Sequence, residues 1–306
     1  MSLSSAPRVD PSPEVLASVQ MGAALRLLEL VEELGREATG AMLFGRNGIV
    51  LIEKGLLCWA TAEGMRHRLT DLLRLGCSPP LEAAALENVY LSCKRDGVPI
   101  GERLVSSGLI SAKGLRSGLR QHNAEALALI SASGVSHDFR AHSKNRYDAR
   151  FTFSTVELLA SIGGLRFPAE AAWAKGHLRS VLPERAYAVA VMQGGGFALP
   201  LPIACSGSAP LSCRELLEVA QWGRSVLDVS QVFSPSCKIA SGTDHRHGSA
   251  VSWCCGPASY VALCADRTDY ARLLGRLQDE LARGEAAYSP DPESLQLIAE
   301  RAARQP

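Results

Sequence analysis

Between Thr39 and Ala60 the chain reads TGAMLFGRNGIVLIEKGLLCWA, a series of short apolar runs punctuated by glycine. Runs of four or five apolar residues are too short for a helix, and glycine or Asn-Gly between them permits a tight reversal. The stretch therefore predicts three antiparallel strands, Ala41 to Phe44, Ile49 to Ile52 and Leu56 to Ala60. Arg46-Asn47-Gly48 is the expected hairpin, with positive φ at Asn-Gly, and Glu53-Lys54-Gly55 is a second turn. No side chain in it is an obvious catalyst. What it offers is a sheet that helices on either side can cover.

The rest of the chain has room for a second domain, since 306 residues exceed one ordinary core. Hydrophobic residues make up 47% and charged residues 21%, which predicts packed structure. A net charge of +1 with acids and bases interspersed argues against a general nucleic-acid binder. No apolar run approaches the roughly 20 residues of a membrane helix. The first 13 residues lack the basic-then-apolar order of a secretory signal and read as a disordered lead. Nine cysteines, odd in number and irregularly spaced, do not form a disulfide framework, so the cytoplasm is the expected compartment. The 26 arginines against 6 lysines fit a GC-rich bacterial genome.

Glu14 to Leu34 has apolar residues at helical spacing. After the strands, Arg66 to Leu75 and Leu81 to Cys93 read as helices. Val98 to Ala128 reads as a helix–glycine turn–helix unit, with Gly108 ending the first helix and Ser111 capping the second. Leu115, Leu119, Ala126 and Leu127 are expected to face inward. Tyr147 to Ser154 alternates like a strand, and Val156 to Ile162 is a short apolar helix. Gly163-Gly164 is the expected domain boundary.

Residues 14–163 resemble a bacterial PATAN-type regulatory domain. The matching features are the leading helix, Thr39-Gly40, Phe44, Gly48, Gly55, Cys58-Trp59-Ala60, Phe151, Phe153 and Glu157-Leu158-Leu159. The resemblance implies an adaptor rather than an enzyme, of a kind linked with response regulators, GTPase regulation, pili and development. Within it, Ile100 to His122 is similar to the N-terminal unit of type II secretion and type IV pilus ATPases. It keeps Gly101, Leu104, Gly108, Leu109, Ile110, Leu115 and Leu119. That resemblance implies a cyclic di-GMP site at Gly101, Leu104, Gly108 and His122. The chain has Pro99 in place of the ligand-binding arginine and His122 in place of a glutamine, and losing the arginine fork removes the natural partner of a phosphate. A helical packing unit is the plainer reading.

In the second half the pattern predicts a helix from Pro168 to Leu182 and strands Tyr187 to Met192 and Phe197 to Cys205. The prolines in the latter suit an edge. A helix Cys213 to Leu227 follows, with an apolar stripe that includes Leu216, Leu217, Ala220 and Leu227. Then come strands Lys238 to Ser241, Ser249 to Cys255 and Tyr260 to Ala265, and a last helix Tyr270 to Arg283. This order over residues 167–285 resembles the Roadblock or dynein-light-chain family, within an expected domain of residues 167–288, and a polar tail or helix occupies 289–306. That resemblance implies homodimerisation by joined sheets and paired helices, with Leu216, Leu217, Ala220 and Leu227 as the contact, and a small Ras-like GTPase as partner.

Other residues invite a catalytic reading. Asp244-His245-Arg246-His247 ahead of Cys254-Cys255 offers zinc ligands, but without paired C-x-x-C or H-x₃-H spacing a hairpin tip fits better. Cys93 lacks a nearby histidine in sequence. Gly194-Gly195-Gly196 is followed by no Lys-Ser/Thr and reads as a turn. Trp59, Trp173, Trp222 and Trp253 read as core. Ser133 to Arg150 is polar and basic, and reads as a solvated loop. The combined expectation is an α+β, non-enzymatic signalling adaptor with no cofactor and no metal. A cyclic-dinucleotide sensor and a thiol or metal-dependent enzyme using Cys254, His247 or Cys93 are the alternatives.

Overall fold

A computed structural model describes residues 13–65, 68–75, 81–97, 100–133, 136–142, 147–192, 200–207, 211–233, 238–244 and 248–282. The glycine-punctuated stretch forms β1 (Gly40–Leu43), β2 (Gly48–Glu53) and β3 (Leu56–Ala62), paired antiparallel in that order. The first reversal takes its positive φ at Gly45 (61°) rather than at Asn-Gly. Gly48 instead opens β2, where a Cβ would stand 2.5 Å from the Thr61 carbonyl oxygen and 2.7 Å from Ile130. That glycine serves close packing, not the turn.

A fourth strand, β4 (Asp138–Ala141), pairs with the free edge of β1 and gives the order β3-β2-β1-β4. It lies in the polar segment read as a loop, because only Phe139 among its residues is strongly apolar. Conversely, the strand expected over Tyr147 to Ser154 is a 3-10 turn, Ala149–Phe151, followed by a single bridge residue. The Asp148 carboxylate accepts the Arg150 backbone N–H at 2.9 Å and starts the turn. Phe153 then exchanges two backbone hydrogen bonds with Leu57, at 2.9 and 2.8 Å.

Helices α1 (Pro13–Glu33) and α5 (Ala112–Ser133) pack together, and α5 lies along β3. Leu28, Val31, Met42, Val50, Ile52, Leu127 and Ile130 are buried between them and the sheet. Between β3 and α5 the chain forms α2 (Leu69–Leu75), α3 (Ala83–Asp96) and α4 (Ile100–Ser106). These share a small cluster of Leu73, Leu104, Ile110 and Leu115. The helix–turn–helix forms as its sequence indicates. Gly108 has φ 71°, the Leu109 and Ile110 N–H groups donate to the Leu104 carbonyl at 3.1 and 3.2 Å, and Ser111 Oγ accepts from Gly114 N–H at 3.0 Å.

Helix α6 (Thr155–Arg166) starts at Ser154, whose Oγ accepts from Glu157 N–H at 3.2 Å. Gly163 and Gly164 lie inside this helix and do not end it. They allow α6 to rest directly on the strand β6 (Pro202–Ser206): a Cβ at Gly163 would overlap the Pro202 carbonyl oxygen, and one at Gly164 would stand 2.8 Å from that of Ile203. The expected boundary is thus a tight contact between the two halves.

The remaining elements are α7 (Pro168–Val181), β5 (Tyr187–Met192), β6, α8 (Cys213–Phe233), β7 (Ile239–Asp244), β8 (Gly248–Cys255), β9 (Ala258–Cys264) and α9 (Arg267–Ala282). The second sheet is antiparallel in the order β6-β5-β9-β8-β7. One buried core runs from α1 and the first sheet through α6 into this second sheet. Glu32 on α1 adds a polar tie: its Oε1 accepts from Thr155 Oγ1 at the start of α6 and from Cys213 N–H, at 2.9 Å, at the start of α8. The chain is mixed α+β with two antiparallel sheets.

Candidate functional site

The amphipathic face of α8 points into the molecule. Leu216, Leu217, Ala220 and Leu227, expected as partner contacts, are all buried, and α8 packs on the sheet face that carries Ser252 and Val261. The apolar stripe that drew attention to them is what packs the helix onto its own sheet. The outward face carries Arg224, Ser225, Asp228, Val229 and Val232. Val229 is 58% and Val232 79% exposed, and their three-residue spacing puts both on one face of α8. Beside α8, β7 forms one edge of the sheet, and among the described residues no strand pairs with its outer side. The opposite edge, β6, is covered by α6.

The second feature is a cleft of about 430 Å³ where α5, α6 and the 3-10 turn meet β5 and β6, lined among others by Arg116, Thr152, Glu157, Tyr187, Cys205 and Ser206. Arg116 and Glu157 form a two-pronged pair, Nη1 to Oε1 and, at 2.9 Å, Nη2 to Oε2. Arg116 also donates to the carbonyls of Arg150 and Thr152, both at 3.1 Å, and lies over the Phe153 ring. It holds the turn to α5. Arg120 approaches the same Glu157 carboxylate at 3.5 Å. Burial and the Arg120 charge lower the affinity of Lys175 for its proton. Burial, with Glu157 next, raises the Cys205 thiol to about 11, although Arg120 and Lys175 pull the other way. The buried Tyr187 hydroxyl, on the cleft wall, makes no well-formed hydrogen bond.

The third feature is a buried relay below the sheet. Trp253 Nε1–H donates to His177 Nε2 at 2.9 Å, so His177 keeps its proton on Nδ1, which faces Glu280 Oε1 at 3.3 Å. Tyr260 stacks on Trp253 with ring centres 5.0 Å apart. The order carboxylate–histidine–donor looks catalytic, but the atom that would act as base is occupied by the indole N–H. It is a packing device. Burial lowers the affinity of His177 for a second proton, against the pull of Glu280.

The residues of the dinucleotide-type unit have packing roles. Leu104 and His122 are buried, Gly108 forms the turn, and a Cβ at Gly101 would stand 3.0 Å from Leu115. His122 packs against Trp59 with ring centres 4.3 Å apart, and burial lowers its affinity for a proton. Pro99 lies outside the described residues, as do His245, Arg246, His247 and the Gly194-Gly196 run. Cys93, on α3, and Cys254, on β8, are not brought together: α3 packs on α4, whereas β8 is held between β7 and β9. Among the described residues no three His, Cys, Asp or Glu side chains are placed to hold a metal ion. No described helix is long and apolar enough to cross a membrane.

Arg116, Arg120, Lys175 and Tyr187 escaped sequence reading. The Arg116–Glu157 pair joins residues 41 apart, with no short spacing to mark it. No family model, no curated protein and no solved structure matches the chain.

Proposed function

We propose that this chain is a non-enzymatic bacterial signalling adaptor, acting in the cytoplasm, that works by binding proteins. A PATAN-like regulatory unit, residues 14–163, is joined to a Roadblock-like unit, residues 167–288. The second unit forms a homodimer, and the partner class is a small Ras-like GTPase, whose switch loops the adaptor would bias. The observation that carries this reading is the asymmetry of the second sheet. Its β6 edge is covered by α6, while among the described residues no strand pairs with the outer side of β7, and α8, which packs on β7, carries the exposed Val229 and Val232. An open edge next to exposed apolar residues favours a second copy related by a twofold axis, because the same patch then covers itself. The element order helix, two strands, helix, three strands, helix supports the family likeness. The core residues Leu216, Leu217, Ala220 and Leu227 would support the interface from below rather than touch the partner.

The experiment uses the full chain as bait in host lysate, loaded with GDP or with a non-hydrolysable GTP analogue. The expected result is a small GTPase held more strongly with the analogue. Recovery of the bait alone in both samples would contradict the GTPase part of the proposal.

A further inference from the structure

A second cleft, of about 560 Å³, lies where α9 meets the connection from α7 to β5, and six of its lining residues are charged: Glu184, Arg185, Asp266, Asp269, Arg272 and Arg276. Three arginines are set against three carboxylates, so the lining as a whole is neutral. Asp269, Arg272 and Arg276 follow one another at three and four residues along α9, which puts them on one face. Asp266 is committed to the start of the helix, where its Oδ1 accepts the Asp269 N–H at 2.8 Å. Arg276 is held by its Nη1, which donates to the Val181 and Leu182 carbonyls, both at 3.2 Å, and it has no carboxylate partner among the described residues. Arg272 stands one turn before it, and like charges at this spacing repel. Asp269 is only 4% exposed, yet its Oδ1 lies 3.7 Å from Arg272 Nη1, too far for a hydrogen bond, and its Oδ2 has no hydrogen-bond partner among the described residues. A buried carboxylate oxygen without a donor is unfavourable, and a ligand that donates to it removes the cost.

We propose that this cleft binds a free α-amino acid as its zwitterion, with the carboxylate between Arg272 and Arg276 and the ammonium on Asp269. Guanidinium groups match a carboxylate, and an ammonium supplies the donor that Asp269 Oδ2 lacks. The two charges of an α-amino acid are adjacent, as are Asp269 and Arg272. A lone anion would gain the arginines but meet three carboxylates, and a lone cation the reverse, so a ligand with both charges fits the neutral lining. The volume suits a small molecule. The cleft shares no lining residue with α8 or β7, so this site and the dimerisation surface stand or fall separately.

The test is thermal unfolding of the full chain at neutral pH and fixed ionic strength. Separate titrations use L-glutamine, L-glutamate and L-arginine, whose side chains are neutral, acidic and basic, and acetate and methylammonium, which each carry one of the two charges. The expected result is a saturable rise in Tm with at least one of the amino acids and none with acetate or methylammonium. Asp269→Asn and Arg272→Gln should each raise the half-saturating concentration about tenfold or more. The Arg272 side chain is exposed, so its replacement leaves the core intact, and circular dichroism checks that both variants are folded. The proposal is overturned by no saturable rise with any of the three amino acids at millimolar concentrations, by acetate or methylammonium acting as strongly as they do, or by variants that respond like the parent.

Discussion

His177 can accept a second proton only by giving up the hydrogen bond from Trp253, because a charged imidazole has no acceptor nitrogen. Burial holds its folded-state pKa below the ordinary value near 6.5, against the pull of Glu280. The sign follows from linkage: the unfolded chain binds the proton more readily, so the stabilisation is present above that ordinary value and is lost as pH falls through the lower folded value. His122, buried against Trp59, acts in the same direction. Denaturant midpoints measured from pH 8 downward should fall on the acid side of neutrality, and His177→Phe should flatten that fall. An unchanged slope in the variant would contradict this account. The thiols give a second check at this scale. Burial raises Cys58 to about 12 and Cys205 to about 11, so at pH 8 neither should react appreciably with iodoacetamide until the chain unfolds. Labelling of either at the rate of an exposed thiol would be the contrary result. The sequence showed Trp253 as a core residue but not its partner, since His177 lies 76 residues away and no local pattern couples them.

At the scale of elements, α6 is the piece on which the two halves meet. Its Gly163 and Gly164 replace the usual side-chain layer with direct contact between a helix and strand carbonyls. Gly163→Ala should cost roughly 3 kcal/mol, since the opposing atom is backbone and cannot swing away. A stability loss close to zero, by denaturant titration, would mean α6 and β6 are not so close. Glu32, on a different helix, accepts the Cys213 N–H at the start of α8 and also holds the Thr155 hydroxyl at the start of α6. Glu32→Ala is expected to cost about 1–2 kcal/mol, the value of a lost cap and an unpaired N–H. Helices with capping residues and glycine stops were legible: the Gly108 turn and the Ser111 cap are where the pattern put them. Elements set by distant pairing were not. β4 exists because β1 has a free edge, and the bridge at Phe153 replaces a longer strand because Asp148 turns the chain first. The glycine pair was misread because a glycine kept for close approach and one kept for a stop look alike in sequence.

For the whole molecule, the apolar stripe of α8 was legible and its destination was not. Periodicity identifies a buried face but not whether the chain itself or a partner buries it. Leu216, Leu217, Ala220 and Leu227 cover the chain's own sheet, and Val229 and Val232, at the end of the same helix, are what remain exposed. The proposed homodimer uses those valines and the outer side of β7, with which no described strand pairs, while α6 blocks β6 at the opposite edge. The most direct test is the solution mass of the full chain by light scattering across a dilution series, alongside Val229→Glu and Val232→Glu. The account predicts a dimer for the parent and, for the variants, folded monomers, because glutamate at exposed positions leaves the core intact while charging the joint. A monomeric parent at high concentration, or variants that remain dimers, would contradict it.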